Sequence, residues 1–564
     1  MKSIRLTIFF LLVVIVTLLS LAGRCFYLQL LRSEYYRSAS SRQQQKWVSE
    51  KAQRGVILDC RGRVLAASNK IQTIFAEPRV IAEPKSTSNE LASVVNMGAH
   101  EICKLITESK NPGFAKIKVD ADENQYIAAS KIYGIGVQND WQRHYPMGHL
   151  GAHTVGFTSI DNRGLGGIEL QYDKELSGTA GQNIFFADAF RRPIRLKQQD
   201  SILRDGVGII LTLDASIQQF AREELLKQYE SYQAESAVAI VAEPKTGAIL
   251  AMVSLPDFNP NNIRSVADPN NFRNRAVTDE FEPGSIIKPI VAAIAIDAGI
   301  VGLNEKIFCE YGNYHGKGFG QIGEYGNHQF GDLTVREILI QSSNIGMAKI
   351  GQRLGKDKLY EGLKLFGFGK KTGIDLPGES DGLLWPVEKW TGYSVTRIPF
   401  GQEISVSAIQ LVRAFCTLAN GGCPVRPYLI KAIVDNDGKI IKLKQPSPAV
   451  GFVVRPETAR WIVSDALVGV VNEGTGRRAK LEKWQVFGKT GTANIAANNQ
   501  RGYSENAFIA SFIAGAPAED PAVVVMVSIR KPNVSLGYTG GTVAAPVVAE
   551  ILKKTLNYLE KHQR

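Results

Sequence analysis

Asn274-Arg-Ala-Val-Thr-Asp-Glu-Phe-Glu-Pro-Gly-Ser285-Ile-Ile-Lys288-Pro289 passes from polar, turn-forming residues into an apolar run. Ile286, Ile287, Ile290, Val291, Ala293, Ile294 and Ile296 follow, and the run stops at Gly299. The change predicts a helix starting near Ser285. Because it is apolar nearly all round, the helix is expected to be buried at the centre of a domain. Pro289 falls in the first turn, where backbone donors have no intrahelical acceptor, so it need not break the helix. A three-residue spacing then sets the Lys288 amine beside the Ser285 hydroxyl, which suits a nucleophile and its base. A lone Ser-x-x-Lys is usually a capping serine followed by a surface lysine. The chain itself repeats the pattern at Ser528-Ile-Arg-Lys531, inside the apolar run Val523 to Ile529, where it carries no chemical meaning. Ser285 therefore needs partners elsewhere.

Two further serine and lysine signals supply them. Gln341-Ser342-Ser343-Asn344 follows a predicted helix over 334–340, and Ser-x-Asn recurs at Ser504-Glu-Asn506. Either alone reads as a turn or cap serine. Lys-Thr-Gly occurs three times. Lys245-Thr-Gly247 serves the turn of a hairpin, and Lys371-Thr-Gly373 sits among glycines with no strand before it. Lys489-Thr490-Gly491-Thr492 follows Val486-Phe-Gly488 on a predicted strand. Alternation puts Lys489 and Gly491 on one face, a cation beside a gap where a substrate chain is expected to lie.

The length of 564 residues predicts several domains, and 44% hydrophobic with 21% charged residues is ordinary globular composition. A formal charge of +12 suits nucleic acid, anionic lipid or an anionic polymer. No zinc-finger spacing, RNP-like aromatic motif or basic helix supports nucleic acid as a partner. The cysteines at 25, 60, 103, 309, 416 and 423 form no Cys-x-x-Cys pair, and a bridge between Cys416 and Cys423 stays open. His149 and His153 lack the adjacent glutamate of a metal-binding helix. Neither metal nor cofactor is expected.

Leu6 to Gly23 is eighteen residues without a formal charge, flanked by Lys2, Arg5 and Arg24. That length exceeds the apolar core of most signal peptides, about 7 to 15 residues, and Ala22-Gly23 is a poor cleavage site. An uncleaved anchor is expected over residues 6–30, with 1–5 cytoplasmic and everything beyond outside. Residues 31–53 are polar and predict a stalk. Arg54 to Asp59 and Arg63 to Ala67 predict a hairpin, within a glycine-rich, non-catalytic module that ends at Asp205-Gly206. From 206 to 564 the pattern sharpens. A strand at 209–213, a helix at 217–229, a hairpin at 237–253, strands at 486–492, 508–514 and 523–529, and a closing helix at 547–559 imply an α+β domain. Its expected centre is an antiparallel sheet of about five strands, built from both ends of the domain.

Ser285 to Lys288, then Ser342 to Asn344, then Lys489 to Gly491, in that order, resemble the penicillin-binding proteins, and within them the class B cell-division transpeptidases. Arg54-Gly-Val-Ile-Leu-Asp59, Arg143-His-Tyr-Pro146, Asn274 to Asp279, Phe281 to Ser285, Gly401-Gln402 and Thr539 to Pro546 match the family as well. Cys60 departs from it, standing where an arginine is usual, and any effect is expected in the membrane-proximal module alone. The resemblance implies a serine transpeptidase fold over 206–564, an elongated pedestal over 31–205 and one transmembrane helix. It implies that Ser285 attacks D-alanyl-D-alanine-terminated stem peptides of peptidoglycan and passes the acyl group to an amine of a second peptide. Lys288 would be a neutral base, its pKa lowered by burial and by the Lys489 cation. Ser342 would relay a proton, and Asn344 would hold peptide and Lys288. Lys489, Thr490, Gly491 and Thr492 would bind substrate, with the amides of Ser285 and Thr492 as oxyanion hole. β-Lactams would acylate Ser285, and a glycosyltransferase and division proteins would be partners at the septum. The alternatives are an elongation-type transpeptidase, a β-lactamase, for which no hydrolytic glutamate is assignable, and a non-enzymatic division scaffold.

Overall fold

A computed structural model describes residues 2–187, 193–446, 451–496 and 502–563, which fall into two compact units. One comprises residues 1–53 and 178–205. Its Lys2–Phe26 is one α-helix without a buried residue, continued by a π-turn at Tyr27–Leu31. At 30 residues it spans about 45 Å, more than the roughly 30 Å of a bilayer's hydrocarbon. The segment expected to be a stalk is more ordered than that. Ser33–Gln44 is helical, and Gln45–Glu50 pairs antiparallel with Gly181–Ala187, which pairs in turn with Pro193–Ser201. A strand whose partner lies some 130 residues away leaves little local signal when its own sequence is polar.

The second unit comprises residues 54–177 and 206–564. The predicted hairpin is present as β1 (Ile57–Leu58) and β2 (Val64–Ala76), turned at Gly62 with φ +83°. β2 runs on past Ala67 to pair with β3 (Ala115–Lys118) and β4 (Ile135–His144). β5 (Gly208–Leu211) lies parallel to β1 in the same sheet, so the strand expected at 209–213 does not join the catalytic one. Arg54 and Arg143, two of the family-like arginines, are buried here against one carboxylate. Their Nε atoms lie 2.6 Å from opposite oxygens of Glu169, and Arg54 also reaches Asp173.

Cys60 sits in the β1–β2 turn with its thiol 3.7 Å from Asp214 Oδ2. Asp214 caps α1 (Ala215–Ser231) and accepts from the Tyr558 hydroxyl. The effect of Cys60 is therefore not confined to the membrane-proximal module, because the turn carrying it packs on residues beyond 206. Burial pushes its thiol up to about 11, so it is a protonated packing group at neutral pH.

β6 (Ser236–Ala242) and β7 (Ile249–Leu255) form the expected hairpin. The Ser285 turn, a tight 3-10 segment at Gly284–Ile287, leads into α2 (Lys288–Asp297), which is buried from Lys288 to Ala295. α3 (Val335–Gln341) opens with a capping box, in which the Thr334 and Glu337 side chains exchange hydrogen bonds with each other's backbone amides, and α4 (Asn344–Leu354) follows at once. A helix at Lys356–Leu365 and then α5 (Ala408–Ala419) follow, and β8 (Ile430–Val434) with β9 (Ile440–Leu443) completes the sheet of β1 to β5. β10 (Phe487–Ala496), β11 (Tyr503–Ala516) and β12 (Val523–Arg530) then pair with the earlier hairpin, and α6 (Ala545–Gln563) closes the chain.

The resulting five-stranded antiparallel sheet has the order β7-β6-β12-β11-β10. Val523, Val525, Val527 and Ile529 enter the core shared with α1 and α6, while Val524 and Met526 enter the one shared with α2 and α5. Burial on both faces explains why these strands read as unbroken apolar runs instead of alternating ones. β10 stands at the edge, and it alone of the three Lys-Thr-Gly copies lies on a strand.

Candidate active site

Three short segments converge on one cleft of about 490 Å³, lined by Ser285, Ser342, Asn344, Thr490 and Thr492 among others. The first is the Ser285 turn. The α-helix proper begins at Lys288, three residues later than the apolar run suggests, with Pro289 in its first turn. Lys288 is fully buried at the head of that helix. Gly284 has φ +54° and lies so close to the edge strand that a Cβ would stand 3.2 Å from Thr492 O. A Cβ on Gly491 would meet Ile286 at 2.8 Å and Pro283 O at 3.1 Å. The space on the Cβ side of Gly491 is therefore already filled by the Ser285 turn. Its effect is to let the nucleophile's turn seat directly on β10.

The second segment joins α3 to α4. Ser342 caps α3 in the left-handed region, φ +59°, and Ser343 caps α4 by accepting from Gly346 N. A non-glycine residue in that region costs roughly 1–3 kcal/mol and persists where its surroundings hold it. They do so here. Lys288 Nζ donates to Ser342 O at 2.5 Å and to Asn344 Oδ1 at 2.8 Å, and lies 3.3 Å from Ser342 Oγ. A neutral amine has two protons and one lone pair, so with both protons given to these acceptors the lone pair is left to receive one.

The third segment is β10 itself. Lys489, also fully buried, donates to Ser342 Oγ at 2.9 Å. Thr490 Oγ1 lies 2.7 Å from Thr475 Oγ1, and Thr492 Oγ1 accepts from Gly540 N at 3.1 Å. All eight residues singled out from the sequence thus meet around one cleft, with Gly491 a packing position and Lys489 reaching in beneath its rim.

Burial lowers the Lys288 pKa to about 7, and the Glu324 carboxylate opposes that shift. Burial and the Lys288 charge in turn hold Lys489 well below the lysine range, and like-charge repulsion between two buried amines acts on both of them.

Glu324 is the site residue that sequence inspection passes over. Its Oε1 accepts from Ser343 Oγ at 2.5 Å and Ile345 N at 3.2 Å, and its Oε2 accepts from Asn344 N at 2.6 Å. This carboxylate closes the first turn of α4, stabilised there by the helix dipole, and holds the Ser342-Ser343-Asn344 corner. It stands 18 positions before Ser342 in a glycine-rich stretch without periodicity, so no sequence signal marks it. Glu282 lies inside the quoted stretch, yet only the structure shows its carboxylate at the cleft.

The decoys are accounted for. Ser528 Oγ bonds Ser511 Oγ inside the sheet, and Lys531 pairs with Glu235. Lys245 pairs with Asp520 at the hairpin turn, and the Thr372 backbone amide donates to Glu379. His149 pairs with Asp257, while His153 contacts Asn271 O and is pushed down to about 4 by burial. Among the described residues no three histidine, cysteine or acidic side chains gather as metal ligands. All six cysteines are free, Cys416 and Cys423 included.

The family model of the penicillin binding protein transpeptidase domain matches residues 237–553, which contain the whole cleft. The chain belongs to the penicillin-binding protein family. A second model, the penicillin-binding protein dimerisation domain, matches residues 49–207, and the pairing fits the class B type. Stage V sporulation protein D of Bacillus subtilis is 37% identical over 97% of this chain and 85% of its own. Probable peptidoglycan D,D-transpeptidase PenA of Neisseria meningitidis is 33% identical over 98% and 92%. Peptidoglycan D,D-transpeptidase FtsI of Escherichia coli is 29% identical over 96% and 89%. Among solved structures, penicillin binding protein 3 of Mycobacterium tuberculosis complexed with aztreonam matches 91% of this chain and 97% of its own with TM-score 0.71 at 25% identity. A peptidoglycan synthetase of Bifidobacterium adolescentis gives TM-score 0.73 over 92% and 97%, also at 25% identity. This family member thus carries the expected serine transpeptidase fold behind a dimerisation-type module, and is an enzyme of the transpeptidase class.

Proposed function

We propose that this penicillin-binding protein cross-links peptidoglycan stem peptides at the division septum through an acyl-enzyme on Ser285. The observation that carries the proposal is the Lys288 amine, fully buried, fixed by Ser342 O and Asn344 Oδ1, and lowered to about 7. Near neutral pH that amine takes the Ser285 proton as the hydroxyl oxygen attacks the penultimate carbonyl of a D-alanyl-D-alanine terminus. Ser342, between Lys288 and Lys489, passes a proton to the departing D-alanine. The terminal carboxylate of the donor pairs with Lys489, aided by Thr490 and Thr492, and its negative charge favours the charged form of a lysine whose pKa burial lowers. The Ser285 and Thr492 amides act as oxyanion donors, each typically worth about 3 kcal/mol. A second peptide's amine then takes the acyl group.

The apolar helix at the start of the chain is the membrane anchor, with residues 1–5 inside. Residues 31–205 form the pedestal and 206–564 the transpeptidase domain, both outside. β-Lactams acylate Ser285 in place of the donor, and a glycosyltransferase and division proteins are partners. Glu324 does not serve as the water-activating glutamate of a β-lactamase, because three donors already hold its carboxylate. A fluorescent penicillin should label the wild-type chain and not Ser285→Ala; equal labelling of the two overturns the assignment.

One observation favours a second reading of the cellular role. The relative named for sporulation shares 37% of its residues with this chain, and FtsI 29%. Depletion separates the roles: filaments support septation, rounded cells elongation, and normal growth with failed sporulation the second reading.

A further inference from the structure

A second cavity, of about 350 Å³, adjoins the catalytic cleft, and Glu282 lines both. Its other walls include Trp385, Trp390, Lys389 and Glu403. Glu282 precedes Ser285 by three residues. Its Oε1 accepts from Glu403 N at 3.1 Å, and the Tyr503 hydroxyl donates to Oε2 at 2.8 Å. Glu403 is held at φ +60°, an uncommon setting for a glutamate, and so turns its amide onto that carboxylate. Burial raises the Glu282 carboxyl above its ordinary range, and among the described residues no lysine, arginine or histidine pairs with it. Glu324, the other glutamate at the cleft, has its oxygens committed to the α4 corner. A half-buried carboxylate at the border of two cavities, held by neutral donors and with no cationic side chain on it among the described residues, has the attributes of a cation site.

Resting on the acyl-enzyme reading above, we propose that this second cavity is the acceptor subsite, binding a peptide that bears a primary ammonium, and that Glu282 receives that ammonium beside Ser285. The proton balance follows. The ammonium gives one proton to the Glu282 carboxylate, and the freed amine attacks the acyl carbon. The C–N bond forms and the C–Oγ bond to Ser285 breaks. The amine's second proton returns to the Ser285 oxygen through Lys288, and Glu282 then releases its proton to solvent. The Trp385 ring, 4.7 Å from the Lys389 ammonium, already receives one cation on its face, and Lys389 is placed to meet a carboxylate of the same peptide.

The test uses the full-length chain in detergent with an N-acyl-D-alanyl-D-alanine donor peptide. Two acceptors compete with water: Nα-acetyl-lysine amide, which is cationic at neutral pH, and hydroxylamine, which is not. Glu282→Gln keeps the shape and the Glu403 contact but removes the charge. The ratio of transfer to the cationic acceptor over transfer to hydroxylamine should fall about tenfold or more. Trp385→Ala, farther from Ser285, should raise the concentration of Nα-acetyl-lysine amide at half-saturation severalfold. A Glu282→Gln ratio equal to that of wild type overturns the subsite, as does unchanged half-saturation in Trp385→Ala. A wild-type chain that takes no label from penicillin and transfers to neither acceptor overturns the acyl-enzyme reading itself, so the two failures are distinguishable.

Discussion

The second unit buries two groups of cations and treats them in opposite ways. Arg54 and Arg143 share the Glu169 carboxylate at 2.6 Å on either side, with Asp173 adding a further acid. Lys288 and Lys489 are just as deeply buried, yet their hydrogen-bond partners are a carbonyl, an amide oxygen and a hydroxyl. A fully paired charge stays charged and serves architecture. An amine without a counter-ion sheds its proton, and so becomes a base or a receptor for an incoming carboxylate.

That contrast can be broken most forcefully at Lys288. Replacing it with methionine should cut penicillin acylation by about 10⁴-fold, while the unfolding free energy should fall by about 1–3 kcal/mol, since no buried ion pair is broken but Ser342 O and Asn344 Oδ1 lose their donor. Acylation kinetics and chemical denaturation on the same preparation decide the matter. Severe destabilisation would show that Lys288 is structural after all. Glu169→Ala should do the reverse, leaving Arg143 buried without an acid and Arg54 with Asp173 alone, and costing about 3–5 kcal/mol. A loss below about 1 kcal/mol there would remove the distinction from its other side.

The pH dependence sharpens it further. Only neutral Lys288 accepts a proton, and the neutral fraction grows as pH rises through about 7, so acylation should climb over that range and level off above it. The unfolded chain keeps this proton up to the ordinary lysine range, and so binds more protons than the folded chain from about pH 7 upward. The Lys288 contribution to stability should accordingly rise with pH across that window. Because Glu324 opposes the downward shift, Glu324→Gln should move the acylation limb to lower pH, while Glu324→Asp should restore it. A limb that stays in place in Glu324→Gln would leave that glutamate a helix cap alone. The smallest effect belongs to Lys245, whose Lys-Thr-Gly copy lies in an exposed turn paired with Asp520. Lys245→Ala should change stability by less than about 0.5 kcal/mol and leave penicillin labelling intact.

Much of the site was legible because its residues lie in short local patterns. Ser285 to Lys288 needs only one helical turn, and the short helix expected over 334–340 delivers Ser342. The edge strand was recognisable from the apolar residues around Lys489, and the other two Lys-Thr-Gly copies were separable by their turns. Glu324 was not legible, since its partners are backbone amides 20 and 21 residues away and no periodicity links them. Cys60 was misjudged for the same reason, its neighbour Asp214 being 154 positions distant.

The sequence by itself determined the apolar N-terminal helix, the five strands and the order of three short motifs, because periodicity and composition act over a few residues. Tertiary structure decided the rest. It spent the Gly491 gap on the Ser285 turn, made burial the largest force on Lys288, and brought Glu324 and Glu282 to the cleft. Dielectric surroundings and close approach belong to the folded chain, and they depend on residues far apart in sequence.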